Sequence, residues 1–131
     1  MSDCLFCRIV AGEIPSARVY EDADAFAFLD IAPFKRGHTL VVSKRHVPHA
    51  LADADVLASL APAVAAVGTL LTERLGADGL NILTNVGEVS GQSVFHLHVH
   101  LIPRYADDPG FAALVRRVAD DDLDAVRAAL A

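Results

Sequence analysis

An α+β fold is what this 131-residue sequence predicts: a five-stranded antiparallel sheet with one long helix and short helices near both termini. Three observations lead there. Short apolar runs with strand composition occur in five places, each bounded by turn-forming residues. In the middle of the chain, Leu57, Leu60, Val64, Val67 and Leu71 keep the spacing of one helix face. Residues 95–102 alternate apolar with imidazole side chains, the period-two signature of a strand with one buried face.

From the N-terminus, residues 4–10 read as a short turn or helix with Leu5, Phe6, Ile9 and Val10 available for packing, ended by Gly12 and Pro15. Residues 17–20 and 25–29 form a hairpin around the polar turn Glu21-Asp22-Ala23-Asp24, and Asp30 sits at the strand end, before Pro33. Residues 38–43 are a third strand, entered through Lys35-Arg36-Gly37 and followed by a polar loop to His49. Asp53 or Asp55 can cap a helix running to about Leu75, where Gly76 is a natural stop. Pro62 kinks or splits that helix, because its ring takes the place of an interior N–H.

Residues 80–85 are a fourth strand, a glycine-bearing loop follows, and the histidine strand is the fifth. In it Phe95, Leu97, Val99 and Leu101 should face a core and His96, His98 and His100 the other side. The tail from Asp108 reads as two helical segments, one with Phe111, Leu114, Val115 and Val118, the other with Leu123, Val126 and Leu130 behind a cap at Asp120 to Asp122. With no internal repeat or linker, residues 1–131 are expected to be one domain, its core spanning about 3–105 and its helical tail about 108–131.

A net charge of -6 and a pI near 5.3 argue against nucleic-acid polymers or anionic membranes as partners, since both call for a basic face. A phosphate ligand must then be held locally, by backbone N–H groups and histidines. The uncharged run 56–71 contains Ser59, Pro62 and Gly68 and falls short of the ~18–20 strongly apolar residues of a spanning helix. The N-terminus lacks the basic segment and long apolar core of a secretory signal, so a cytoplasmic protein is expected. Cys4 and Cys7 then point to metal or redox chemistry rather than a structural disulfide.

Three histidines at alternate positions need an explanation. With 6 His in the chain, chance supplies such a triplet with a probability of about 0.01. Same-face strand positions stand roughly 7 Å apart, so each imidazole can serve one ligand in a separate way. A neutral imidazole nitrogen is a competent nucleophile towards phosphorus near pH 7, provided that its other nitrogen is fixed as a donor. His98, flanked on both sides by imidazoles, is placed for that; His100 can contact a phosphate oxygen or protonate a leaving group. Gly91-Gln92-Ser93 allows close backbone approach and offers amide and side-chain donors, and Asn85 another.

The run His96-Leu97-His98-Val99-His100-Leu101-Ile102 resembles the alternating motif of the histidine triad (HIT) family of nucleotide hydrolases and transferases. The resemblance extends through Asn85, Gly91 to Val94, Pro33 to Val42, Phe28 to Ile31 and Cys4 to Ile14, roughly residues 3–105. It implies the HIT-like version of the fold above, and a phosphoramidase-like hydrolase acting at the α-phosphate of purine nucleotide conjugates. His98 would form a covalent nucleotidyl-histidine that water then hydrolyses. Asn85, Gly91, Gln92 and Ser93 would contact the α-phosphate, Asp30 the ribose hydroxyls, and His38 would support the triad. Phe6, Ile14, Phe28, Ile31 and Leu40 match positions of the family's base pocket and equally suit a plain core. A homodimer is implied as well, although this chain has no Trp and so lacks the tryptophan-bearing C-terminus of some branches.

Cys4-Leu5-Phe6-Cys7 has the C-x2-C spacing that lets two thiolates reach one tetrahedral ion. The zinc-containing branch of the family implies His46 and His96 as the other two ligands of a structural zinc, with His49 a competitor for His46. Rival readings are a dinucleoside polyphosphate hydrolase, a zinc hydrolase using histidines as catalytic ligands, and a nucleotide-binding module without turnover.

Overall fold

The computed structural model describes residues 3–111 and 122–131. Its elements in chain order are α1 (Leu5–Val10), β1 (Arg18–Glu21), β2 (Ala25–Leu29), β3 (Thr39–Ser43), α2 (Ala54–Ser59), α3 (Ala61–Leu75), β4 (Gly79–Leu83), β5 (His98–Arg104) and α4 (Leu123–Leu130). The five strands make one sheet in the order β1-β2-β3-β5-β4, with every neighbouring pair antiparallel. β4, a late strand, therefore lies at an edge beside β5.

Alternation along the strands sorts the side chains onto two covered faces. Ala25, Ala27, Val41, Val99 and Leu101 pack with Val56, Leu60, Ala63, Val67 and Leu71 of the α2–α3 segment. The alternate residues Phe26, Phe28, Leu40 and Val42 pack with Phe6 and Ile9 of α1 on the other side. β2 and β3 are thus buried on both faces, which explains why they read as continuous apolar runs.

Asp53 caps α2, its carboxylate accepting from the N–H groups of Asp55 and Val56 at 2.9 and 3.2 Å. The helix breaks at Leu60, and Pro62 falls in the first turn of α3, where its missing N–H costs nothing. By length and composition alone Ala54–Leu75 would suffice to cross a membrane, a longer stretch than the uncharged run indicates. Here its buried residues lie against the sheet, as a core helix does. Gly76 closes α3 in the left-handed region, φ 70°.

Two expectations need correction. The fifth strand begins at His98 rather than at residue 95, and Phe95 is 45 % exposed instead of facing the core. The Ser43 carbonyl accepts from the His96 ring at 2.6 Å, and the Leu97 N–H turns to the Val47 carbonyl at 2.8 Å, so the ladder ends before Phe95. The histidine face is also no open surface: His96 and His98 are buried and His100 half-buried. In the tail, α4 starts behind Asp122, whose side chain caps it; Leu114, Val115, Val118 and Asp120 lie outside the described residues.

Gly37 turns into β3 with φ 90°, and a Cβ there would stand 2.5 Å from Leu75 Cδ1 and 3.3 Å from both Leu71 Cδ2 and Pro103 Cγ. Gly76→Ala has the same backbone strain but open space around it. Gly37→Ala should therefore lower stability by roughly 2–4 kcal/mol and Gly76→Ala by only about 1 kcal/mol in urea unfolding; equal losses would show that the Leu75 contact is inconsequential.

Candidate active site and metal-binding cluster

The register of the sheet assembles the site. Val42 of β3 pairs with His98 and Leu40 with His100, while Phe26 and Phe28 of β2 pair with Val42 and Leu40. His98 and His100 consequently share the face covered by α1, across the sheet from α3. The Phe6 ring of α1 meets the His98 ring edge-on, with centroids 4.9 Å apart.

His98 Nδ1 lies 2.7 Å from the carbonyl oxygen of His96. A carbonyl only accepts, so Nδ1 carries the proton and Nε2 keeps its lone pair. Burial holds the His98 pKa below that of an ordinary histidine, against the opposing influence of the His96 carbonyl and the Asp30 charge, so the ring is neutral at pH 7. His100 is pushed down to about 4, chiefly by burial and then by His98 and His38. Its Nδ1 is 3.0 Å from His38 Nε2, and His38 Nδ1 accepts the Phe34 N–H at 3.1 Å. His38 is buried, and burial lowers its pKa although Asp30 opposes this from 3.7 Å.

A cleft of about 280 Å³ opens onto these rings. Phe6, Ile14, Phe28 and Leu40 form its apolar side; Asp30, Ile31 and Ser93 join His98 and His100 around the rest. Ile31 is 99 % exposed, a rim residue rather than core, whereas Phe6, Phe28 and Leu40 are buried and serve core and cleft together. Ile9 and Val94 line the cleft too, beyond the residues that the sequence singles out; the helical spacing of Ile9 after Phe6 is the signal that places it there. A larger groove of about 850 Å³ lies on the opposite side, between α3 and β4, away from all three histidines of the motif.

The loop between β4 and β5 departs from expectation at Gln92. That residue is buried; its Oε1 accepts the Gly87 N–H at 2.9 Å and its Nε2 donates to the Pro48 and Val94 carbonyls at 2.8 and 3.0 Å. Both amide protons are committed, so the Gln92 side chain holds the loop rather than donating to a phosphate. Asn85 Nδ2 is 3.5 Å from where a Cβ on Gly91 would stand, which places the Asn85 amide beside that loop.

Cys4 and Cys7 at the start of α1 meet His46 and His96, their ligand atoms all within 4.8 Å of one another. Cys4 Sγ to His96 Nδ1 is 3.3 Å, Cys7 Sγ to His46 Nδ1 3.3 Å, and His46 Nδ1 to His96 Nδ1 3.1 Å. Zn–S bonds of about 2.3 Å and Zn–N bonds of about 2.0 Å put neighbouring donors roughly 3.3–3.8 Å apart in a tetrahedron, so the donor set fits such an ion. The 2.6 Å contact from His96 Nε2 to the Ser43 carbonyl places the proton there and leaves Nδ1 unprotonated for a metal. His49 stands outside the group, its Nδ1 accepting the Leu51 N–H at 3.2 Å. His98 is outside it too.

The HIT domain family model matches residues 11–107. A Bacillus subtilis relative, Protein hit, is 47% identical over 120 residues, covering 91% of this chain and 83% of its own. Adenylylsulfatase HINT3 of Arabidopsis thaliana is 37% identical over 109 residues, or 82% of this chain and 55% of that longer protein. A crystal structure of a HIT family member from Bacillus subtilis matches with a TM-score of 0.86 at 39% identity, over 98% of this chain and 95% of that one. Triad, fold and family model agree: the chain belongs to the HIT family.

Proposed function

We propose that this protein hydrolyses purine nucleotide conjugates at the α-phosphate, in the manner of a phosphoramidase, with His98 as nucleophile. The observation that carries the reading is the His98 ring at a cleft, neutral, with Nδ1–H held by the His96 carbonyl and Nε2 unprotonated. In the first step Nε2 attacks phosphorus, a P–N bond forms, and the bond to the leaving group breaks with its electron pair; the leaving group takes a proton from solvent. Water then attacks the same phosphorus, its proton passes to solvent, and the P–N bond breaks to return the lone pair to Nε2. The imidazolium-like charge that develops on His98 is stabilised by the His96 carbonyl at Nδ1.

The acidic chain brings no Lys or Arg into the lining of the cleft among the described residues. Charge on the phosphate would therefore meet neutral donors: the His100 ring, the Ser93 hydroxyl and the Asn85 amide, the backbone N–H groups of Ser90, Gly91 and Gln92 being bonded within their own loop. Asp30 would accept from ribose hydroxyls, and a purine would fill the space between Phe6, Ile14, Phe28, Leu40 and the exposed Ile31. Dinucleoside polyphosphates present the same α-phosphate chemistry, so a hydrolase for them is the nearest rival. The relative HINT3 is an adenylylsulfatase, which supports a nucleotide substrate here without choosing its leaving group.

Cys4, Cys7, His46 and His96 would hold a structural zinc, joining α1 and the loop after β3 to the residue whose carbonyl orients His98. Four protein donors leave no open position for water, so the ion would contribute rigidity rather than a hydrolytic hydroxide. We further propose a homodimer formed through the unpaired edge of β4 and the apolar groove beside α3, where Ile82 is 55% exposed. Thiolate ligands of this kind persist in the reducing cytoplasm, the compartment we propose.

Replacing the nucleophile should separate binding from chemistry. His98→Asn is expected to lower kcat at least roughly 1,000-fold on an adenosine phosphoramidate while AMP still binds in calorimetry; near-normal turnover would reject the nucleophile. Because burial lowers the His98 pKa, the acid-side fall of wild-type kcat should have its midpoint below the usual histidine value, and a midpoint at or above that value would contradict a neutral, buried nucleophile. Stripping zinc with a chelator should lower the thermal midpoint by several degrees, as should Cys7→Ser; an unchanged midpoint with metal shown absent would refute the structural zinc. Ile82→Asp should yield a monomer in sedimentation, and a wild type that sediments as a monomer would dispose of the dimer.

A further inference from the structure

We infer that Phe34 is a positioning residue: its backbone N–H, acting through His38, fixes His100 as a neutral hydrogen-bond donor to whatever anion occupies the cleft. Its kinetic consequence rests on the hydrolase reading; the proton positions do not.

The chain of bonds leaves one consistent assignment. The Phe34 amide can only donate, so His38 Nδ1, at 3.1 Å, must accept. A neutral His38 then carries its proton on Nε2, which faces His100 Nδ1 at 3.0 Å and donates to it. His100 in turn must keep its own proton on Nε2, the nitrogen not engaged by His38, and the His100 ring lines the cleft. Each step follows from the one before, so a single backbone amide decides the orientation of a proton two rings away.

The surroundings hold that assignment in place. His38 is 1% exposed, so water has little access to its ring. The Phe34 ring stacks on it, with centroids 5.2 Å apart and planes inclined by 28°, while the hydrogen bond itself comes from the backbone amide. The Asp30 carboxylate is the charged group facing His38, yet its Oδ2 lies 3.7 Å from Nε2, beyond hydrogen-bond reach, and its Oδ1 accepts the Ala32 N–H at 2.9 Å. His98 is the other titratable group beside His100, with ring centroids 5.0 Å apart.

Asp30, His38 and His100 also group closely enough to hold a metal ion. That alternative requires a lone pair on His38 Nε2 and hence a proton on Nδ1, pointed at the Phe34 N–H. The existing hydrogen bond opposes it, and the donor chain is the reading that leaves no two protons facing each other. A neutral imidazole N–H is too weak an acid to surrender its proton, so His100 serves by hydrogen bonding to a phosphate oxygen and not as a proton source.

Nitrogen-15 NMR of the uniformly labelled full-length protein at pH 7 tests this without any variant. Both His38 and His100 should show a protonated Nε2 and an unprotonated Nδ1; a His38 protonated at Nδ1 would overturn the inference. Phe34→Ala retains the amide and should retain that pattern. Phe34→Pro removes the amide proton and should mix the tautomers of both rings, lowering kcat on an adenosine phosphoramidate roughly 10–100-fold with little change in KM. A folded Phe34→Pro with wild-type tautomers and kcat would also overturn it. If wild type shows these tautomers but cleaves no conjugate, the hydrolase reading falls and the proton assignment stands.

Discussion

One hydrogen bond, from His98 Nδ1–H to the His96 carbonyl at 2.7 Å, is the contact on which the site depends. It spans only two residues and lies where the ladder of β5 starts, at His98. Donor and acceptor are then arranged by different parts of the fold. His98 is pinned by pairing with Val42 and by the Phe6 ring, and His96 by its contact with Ser43 and its place among Cys4, Cys7 and His46. The cysteine-histidine cluster and the cleft share a backbone segment, and α1 with its N-cap Cys4 supplies both thiols and the aromatic ring between them.

Burial does the electrostatic work that basic residues do elsewhere. A chain of net charge -6 repels phosphate at long range, and a cluster of cations would be needed to reverse that field. Instead His38, His96, His98 and His100 are all held below the ordinary histidine pKa, with burial the largest cause for each. Neutral rings can be ordered into donors and acceptors by their neighbours, and under the proposed function uncharged donors in a partly desolvated cleft would meet a phosphate without the strong trapping of an ion pair. The same burial makes tautomers, rather than charges, the variable that the structure controls.

Much of this is legible in the order of residues. The alternation of His96, His98 and His100, the C-x2-C pair, the helix break that Pro62 signals two residues upstream at Leu60 and the stop at Gly76 are local rules of backbone chemistry, and each can be read within a few residues. Where the sequence leaves His46 and His49 open as partners of the cysteines, the structure groups His46 with them and turns His49 to its own loop. What escapes the sequence is long-range. Period-two spacing says which face a residue takes but not where pairing stops, so alternation alone assigns Phe95 to a core that it does not enter. Gln92 sits in a loop resembling a phosphate cradle, and only the approach of Pro48, far away in sequence, shows where its amide protons go. Nothing in the local sequence marks Phe34, since a backbone N–H is carried by nearly every residue.

At the centre of the proposed function stands a neutral His98, outside the cysteine-histidine cluster, whose Nε2 would bond covalently to the phosphorus next to the nucleoside. Acid-free rapid quench of a single turnover on an adenylylated amine, followed by peptide mass analysis, measures this most directly. A transient adenylyl increment on the peptide containing His98, localised to that ring and decaying as AMP appears, is the predicted result. Full turnover with His98 unmodified throughout, or an increment residing on another side chain, would contradict it.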